Sequence, residues 1–170
     1  MHRGGSSTPS SVLTLRRNGP REDALVVSSG ARPVLLATLD VPFAEEAVVF
    51  AVDSAVESGQ PLVVVNAAEI VPTHWSLLGY GYIEREDLQA ELRKPAELAQ
   101  SLAVRVERLR VCSPHPVDAL LELVAERNPG LLVFGPERSR MRRRTYERAT
   151  RRVCKRASCL VWTATTHAPT

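Results

Sequence analysis

The sequence predicts an α/β fold, an open sheet of five parallel strands with helices on both faces. Three observations predict it. From residue 33 onward, short apolar runs alternate with longer segments whose apolar residues recur at helical spacing. Most of the short runs are continuously apolar, as in strands that are buried on both faces. The resulting order, β-α-β-α-β-α-β-α-β, is typical of a parallel sheet with right-handed crossovers.

The first strand–helix–strand unit covers residues 33–70. The run PVLLATLD (33–40) predicts a buried strand that ends in a polar residue, and PLVVVNAAEI (61–70) predicts a second strand, rich in β-branched residues. The segment between them has apolar residues at helical spacing, namely Ala44, Ala47, Val48, Ala51, Val52 and Ala55. We expect Asp40 to cap this helix and Gly59 to end it.

A longer connection, THWSLLGYGYIEREDL, follows the second strand and contains His74, Trp75, Tyr80 and Tyr82. We expect these side chains to pack against the sheet edge, and a lid over a pocket is the alternative. Residues 84–103 predict a helix that Pro95 should kink or split. Residues 104–111 interleave polar with apolar residues, which indicates an edge strand that is wet on one face.

The last third of the chain predicts two helices and two strands. The segment 113–130 predicts a helix that ends at Pro129 and Gly130, and its buried stripe is Val117, Leu120, Leu121 and Val124. LLVFG (131–135) predicts a fourth buried strand. The basic stretch after it predicts a loop and then a helix over about 143–157. CLVWTA (159–164) predicts the fifth strand.

The domain organisation that we expect is one α/β domain over residues 33–165 between two tails. Residues 1–32 are rich in Ser, Gly, Pro and Arg and lack periodicity, so they predict a flexible N-terminal tail, with ALVV (24–27) as a short strand at most. Residues 166–170 predict a C-terminal tail. No apolar run reaches the ~20 residues of a membrane span, and no apolar core of a signal peptide is present, so we expect a cytoplasmic protein.

The cysteines and histidines favour neither a disulfide framework nor a metal site. Cys112, Cys154 and Cys159 include no CxxC pair, and the four histidines are scattered along the chain. Disulfides are rare in cytoplasmic proteins. We therefore interpret the three cysteines as small buried apolar residues.

Positive charge is concentrated in one segment. The chain carries 22 Lys and Arg against 19 Asp and Glu, a net charge of +3. Residues 138–156 hold ten of the basic residues and one acid, so this segment is +9 and the remainder is −6. Like charges at i,i+4 each cost about 0.2–0.5 kcal/mol. A solvated helix face is one interpretation and an anionic partner is the other, with contacts from Arg142, Arg143, Arg144 and Arg148.

Polar or glycine residues stand at the ends of three predicted strands, and they are Asp40, Asn66 and Gly135. In parallel sheets, ligands bind beyond the carboxyl ends of the strands, where the strand order reverses. These positions are therefore candidates for a binding site. Two of them have a simpler alternative: a turn that needs positive φ at Gly135, and a helix cap at Asp40. No catalytic constellation is evident in the sequence.

Three segments together resemble the universal stress protein (UspA-like) family. They are PVLLATLDVPFAEEAVVFAVDSAVESGQPLVVVNAAE, PHPVDALLELVAERNPGLLVFG and RRVCKRASCLVWTA, whose cysteine starts the last strand. The resemblance covers about residues 33–165 and implies a Rossmann-like fold of the adenine nucleotide alpha hydrolase-like type, with strand order 3-2-1-4-5. It also implies homodimers, often paired through the last strand. Many members bind ATP between the first and fourth strands, and others bind no nucleotide.

The resemblance implies a degenerate phosphate side of the ATP site. ATP-binding members carry a glycine after the fourth strand, a second glycine three residues on, then nine residues and a Gly-Ser or Gly-Thr pair. Gly135 matches the first glycine, but the second position is Arg138. The final pair falls on residues 148–149 or, counted back from Cys159, on residues 147–148, so both later glycines and the hydroxyl are missing. Glycines matter there because they let backbone N–H groups approach phosphate.

The resemblance also implies a base side that survives. Asp40 matches the family's aspartate near adenine and ribose, and Val64 or Val65 matches the valine whose backbone contacts adenine. The pocket that follows would take ATP or another adenine nucleotide, with arginines in place of the glycine cradle. Its residues are Asp40, Val65, Asn66, Gly135, Arg138 and Arg140.

The function that we expect is that of a regulatory or stress-response protein that acts by binding and not by turnover, with weak or no ATP binding. One alternative is an interaction module that uses the Arg-rich face 138–156 for an acidic partner or nucleic acid. Another is an ATP-binding or slowly nucleotide-hydrolysing member of the family. Expected partners are a second copy, paired through 159–164, and an acidic protein. Nucleic acid is disfavoured because only Tyr146 interleaves the arginines as a stacking aromatic.

Overall fold

The structure is a computed structural model that describes residues 30, 32–72, 80–81 and 86–164, and this part of the chain forms seven strands and four helices. The strands are β1 (Val34–Thr38), β2 (Leu62–Glu69), β3 (Val71–Pro72), β4 (Tyr80–Gly81), β5 (Val106–Ser113), β6 (Leu131–Phe134) and β7 (Leu160–Thr163). The helices are α1 (Glu45–Ser58), α2 (Glu86–Ser101), α3 (Pro116–Arg127) and α4 (Arg143–Arg156).

The main sheet has the order β5-β2-β1-β6-β7, and every neighbouring pair in it is parallel. Numbered along its own five strands, this is the predicted order 3-2-1-4-5. The α/β fold class is therefore confirmed. β3 and β4 form a separate antiparallel pair of two residues each, which the sequence did not predict.

Helices cover both faces of the sheet because its buried strands have apolar residues on both sides. In β1, Val34 and Leu36 belong to the core beneath α1 and α2, whereas Leu35 and Ala37 belong to the core beneath α3 and α4. The two sets alternate along the strand, as the period of two requires. Both cores are thus built from the same continuous apolar runs.

The end of α1 was predicted correctly and its N-cap was not. Gly59 ends the helix in the left-handed region at φ 64°, as predicted. The N-cap residue is Ala44, and no side chain caps the helix, so the prediction that Asp40 caps α1 is wrong. The chain runs four residues past Asp40 before the helix begins.

The remaining elements follow the predicted pattern with one difference. α2 continues through Pro95 as a single helix, so Pro95 does not split it. β5 pairs only with β2 among the described strands, which confirms its edge position. α3 ends at Asn128, which caps it at φ 44°, just before Pro129 and Gly130.

Several predictions lie outside the described residues. These concern the strand at 24–27, both tails, His74, Trp75 and Tyr82, and the side chain of Tyr80. Within the described part of the chain, no helix is both long and apolar enough to cross a membrane.

The cysteines form no disulfide. Cys154 is exposed on α4, so its interpretation as a buried apolar residue is wrong. Cys159 is half-buried, and this burial raises the pKa of its thiol above the ordinary value.

Candidate functional site

The candidate site lies at the carboxyl edge of the sheet, where the strand order reverses between β1 and β6. Thr38, the last residue of β1, pairs with Asn66 of β2, and Ala37 pairs with Phe134 of β6. The residues that follow β1 and β6 therefore leave the sheet side by side. This is the position at which open parallel sheets bind ligands.

Asp40 and Asn66 are brought together by two hydrogen bonds. Asp40 has a φ of 53°, and its backbone N–H donates to Oδ1 of Asn66 at 2.9 Å. The Nδ2 of Asn66 donates to Oδ1 of Asp40 at 3.3 Å. Asn66 is buried, so its amide holds the Asp40 backbone in the left-handed region that short polar residues tolerate. The pair is fixed before any ligand arrives.

Val65 does not join this pair. Its side chain is fully buried in the core beneath α3 and α4. Its backbone is paired with Ala37 on one side and with Leu109 on the other. Of the two predicted pocket residues on β2, the structure therefore places the side chain of Asn66 at the site and that of Val65 in the core.

Gly135 is a glycine because of space and not because of its backbone angle. It is absent from the residues with positive φ, so the explanation as a turn that needs positive φ is wrong. A Cβ placed on Gly135 would lie 2.1 Å from the Cβ of Ala47 in α1, far inside van der Waals contact. The missing side chain lets α1 cross close to the end of β6.

The three residues after β6 have no backbone N–H left for a phosphate. The N–H of Gly135 donates to the carbonyl of Ala37 at 3.0 Å. Pro136 has no N–H. The N–H of Glu137 donates to the carbonyl of Pro42 at 2.8 Å. The loop after β6 is thus bonded to the loop after β1, where a phosphate-binding loop would keep its donors free.

The loop after β6 carries an acidic residue first and basic residues after it. Glu137 is half-buried, and its Oε1 accepts a hydrogen bond from Oγ of Ser139 at 2.6 Å. Arg138 and Arg140 follow on a single 3₁₀ turn, and both are exposed. The side chains of Arg138 and Arg140 are therefore exposed outside the loop.

The final pair of the glycine motif falls inside α4. The first helical residue is Arg143, with Arg142 as the N-cap. Both counted registers, 147–148 and 148–149, lie beyond the first turn, where helix N–H groups bond to carbonyls four residues back. Donors at the helix start would instead come from Arg143 and Arg144.

The basic residues of α4 are only partly compensated. Arg143 donates to Glu147 at 2.7 Å, and this hydrogen bond lowers the pKa of Glu147 and raises that of Arg143. Asp118 of α3 lies within 2.6 Å of Arg152 and 2.9 Å of Arg156. Arg142, Arg144 and Arg148, proposed from the sequence as anion contacts, are exposed.

Sequence reasoning missed the residues that close the loop. The missing donor at Pro136 could have been predicted from the sequence, because a proline lacks an N–H in any fold. The negative charge of Glu137, next to a proposed phosphate position, could also have been predicted from the sequence. The role of Ala47 could not, because it depends on where α1 crosses the sheet. Among the described residues, no group of three or more His, Cys, Asp or Glu is placed to hold a metal ion.

Comparison with known proteins gives a family match. Residues 30–164 match the model of a family described as the universal stress protein family. No curated protein sequence matches the chain.

Solved structures match the same fold. A universal stress protein in complex with cAMP is 23% identical with a TM-score of 0.54, and the match covers 81% of this chain and 99% of that one. The universal stress protein from Archaeoglobus fulgidus in complex with dAMP is 16% identical with a TM-score of 0.53, covering 78% and 96%. A family protein from Burkholderia pseudomallei is 19% identical with a TM-score of 0.52, covering 79% and 96%.

Proposed function

The chain belongs to the universal stress protein family, and from this membership we propose that it is a regulatory or stress-response protein that acts by binding and not by turnover. Its place of action is the cytoplasm, where cysteines that form no disulfide are the rule. Its ATP binding is weak or absent.

The observation that carries the weak-ATP proposal is the closed loop after β6. Gly135 and Glu137 use their N–H groups inside the protein, and Pro136 has none. A triphosphate beside residues 135–137 would meet no backbone donor from them, and the half-buried Glu137 adds a negative charge to the same loop. Arginine heads neutralise phosphate, but Arg138 and Arg140 are exposed outside the loop and do not replace the backbone donors of a glycine cradle.

The base side of the pocket supports a smaller ligand. Asp40 and Asn66 are held in place by their own hydrogen bonds, so ordering them costs no further entropy. Two of the similar structures hold monophosphates, cAMP and dAMP. An adenosine monophosphate needs few of the phosphate contacts that this chain lacks. We therefore expect AMP or cAMP to bind at least as tightly as ATP.

Thermal unfolding of the full chain with ATP, ADP, AMP and cAMP, followed by calorimetric titration, tests this proposal. A ligand at about a hundredfold excess over its dissociation constant stabilises a protein by about 2.7 kcal/mol. ATP should give no larger shift than AMP. Binding of ATP at micromolar concentration, at least tenfold tighter than AMP, would contradict the proposal, as would phosphate release above a blank without protein.

A matched variant locates any nucleotide that binds. Asp40→Asn removes the carboxylate but keeps a residue that tolerates φ 53°. Any shift seen with AMP should disappear in Asp40→Asn. It should persist in Arg93→Gln, an exposed position on α2. A shift that survives Asp40→Asn places the nucleotide elsewhere.

We also propose that the protein is a homodimer paired through β7. In the described sheet, β7 pairs with β6 alone, so its other edge is open. Leu160 on this strand is 70% exposed. Two residues further along the strand, Trp162 stacks on Phe50 of α1 with ring centroids 4.7 Å apart, and Phe50 is itself partly exposed. An open edge beside exposed apolar side chains favours strand pairing with a second copy.

A further inference from the structure

Four cations form one line along the solvent side of α4. Arg144, Arg148, Arg151 and Lys155 follow one another at steps of four, three and four residues, and all are exposed. Since each residue turns the helix by about 100°, these steps keep the side chains on one stripe. The buried residues Tyr146, Ala149 and Val153 lie on the opposite side. We call the four cations the α4 ridge.

The described ion pairs of α4 leave the ridge uncompensated. Arg143 forms an ion pair with Glu147 on one flank of the helix. On the other flank, Arg152 and Arg156 both form ion pairs with Asp118 of α3. No ridge residue forms an ion pair with any residue that the structure describes. Four like charges along one stripe repel each other, so an anion that spans the stripe would relieve this repulsion.

The charge of the whole fold is split between the two faces of the sheet. α1 and α2 together carry eight acids and two bases, a net charge of −6, and they pack on one face. α3 and α4 together carry eight bases and four acids, a net charge of +4 that comes from α4, and they pack on the other face. A large polyanion is therefore repelled from one side and attracted to the other, which orients its approach.

We propose that the α4 ridge binds the phosphate backbone of double-stranded nucleic acid without reading base sequence. The ridge runs over the twelve residues 144–155, about 16 Å from first to last at 1.5 Å per residue. Phosphates follow each other at about 3.4 Å of helix axis per strand, so the ridge runs past several of them. Three of its four cations are arginines, whose planar heads bind phosphate through two hydrogen bonds.

The composition of this surface favours a duplex over the other polyanions. α4 exposes no large apolar side chain, and protein–protein interfaces have an apolar or aromatic centre. Tyr146 is buried, so no aromatic of α4 is available to stack on the bases of a single strand. The lack of stacking aromatics is an argument against binding a single strand. It is not an argument against contacts to the backbone of a duplex.

The test is fluorescence anisotropy of a labelled duplex of about 20 base pairs with the full chain, at salt concentrations from about 50 to about 200 mM. Four phosphate contacts predict a slope of log K against log salt near −3.6, and hence a loss of affinity of about a hundredfold over this range. Two duplexes of unrelated sequence should bind equally. In the ridge variant Arg144→Gln/Arg148→Gln/Arg151→Gln, the slope should fall to about −1.

A control variant removes the same charge elsewhere. Arg93→Gln/Lys94→Gln/Arg105→Gln changes three exposed cations outside α4 and should keep the steep slope. Circular dichroism checks that both triple variants are folded. The proposal is overturned if the two variants bind the duplex alike, if the slope is flat, or if poly-glutamate or a single strand of matched charge binds more tightly than the duplex.

Discussion

Gly135 shows how one missing side chain connects two elements at the site. Its position beside Ala47 brings α1 against the end of β6, and its N–H and carbonyl bond to Ala37 and Ala44. The resemblance implies that a glycine at this position lets backbone N–H groups approach phosphate, and in this structure the same glycine makes room for a helix. Both uses need glycine, so residue type alone does not distinguish them.

Gly135→Ala should destabilise the protein by about 1–3 kcal/mol, because the new methyl group overlaps the Cβ of Ala47. Urea unfolding measures the loss. Gly130→Ala is the matched control, since its Cβ would meet the nearest atom at 3.4 Å. In an Ala47→Gly background the cost of Gly135→Ala should shrink. Equal stability of Gly135→Ala and the wild type would contradict the packing explanation.

Glu147 should titrate below the ordinary pKa of a glutamate, because Arg143 bonds to its carboxylate. A lowered folded-state pKa contributes stability above the unfolded pKa, and this contribution is lost as the pH falls through the folded value. Titration followed by carboxyl NMR measures the pKa. Arg143→Gln should raise it more than Arg151→Gln does, since Arg151 acts on Glu147 only through space. Equal effects of the two variants would show that no specific pair forms.

At the scale of elements, α3 and α4 are joined by one carboxylate. Asp118 in the first turn of α3 contacts Arg152 and Arg156, one turn apart on α4. These two arginines would otherwise repel each other at i,i+4. Asp118 therefore fixes the helix that carries the α4 ridge without reducing the charge of the ridge itself.

Asp118→Asn should lower the free energy of unfolding by about 1 kcal/mol, the sum of two partly exposed ion pairs. The loss should become smaller at high salt, because salt screens exposed pairs. Thermal or urea unfolding at two salt concentrations measures it. Glu122→Gln, an exposed acid on the same helix, serves as the control. The effect should largely vanish in an Arg152→Gln/Arg156→Gln background, and an undiminished loss there would assign it to the helix end instead.

At the scale of the whole molecule, three surfaces lie on different parts of one sheet. The candidate nucleotide pocket is at the carboxyl edge, the open strand β7 is at one side, and the α4 ridge is on the outer side of one helix layer. The acidic helices α1 and α2 lie on the face away from the ridge.

Leu160→Lys should convert the proposed dimer into a monomer, because a charge on an edge strand opposes pairing. Sedimentation velocity at fixed protein concentration measures the change. Leu160 is exposed in the monomer, so the substitution should alter folding stability by less than about 0.5 kcal/mol. Leu102→Lys, at an exposed apolar position after α2, is the control. Identical sedimentation of the two variants would remove β7 as the interface.

The sequence by itself determined the elements and the fold class of this protein. Strand and helix periods are local properties, so β1, β2, α3 and the terminating Gly59 were predictable from neighbouring residues. The tertiary structure alone decided what the site residues do. Asp40 bonds to Asn66 and not to α1, and Gly135 makes room for Ala47. Those partners are distant in sequence and meet only because the sheet brings their strands and helices together, so no local pattern encodes them.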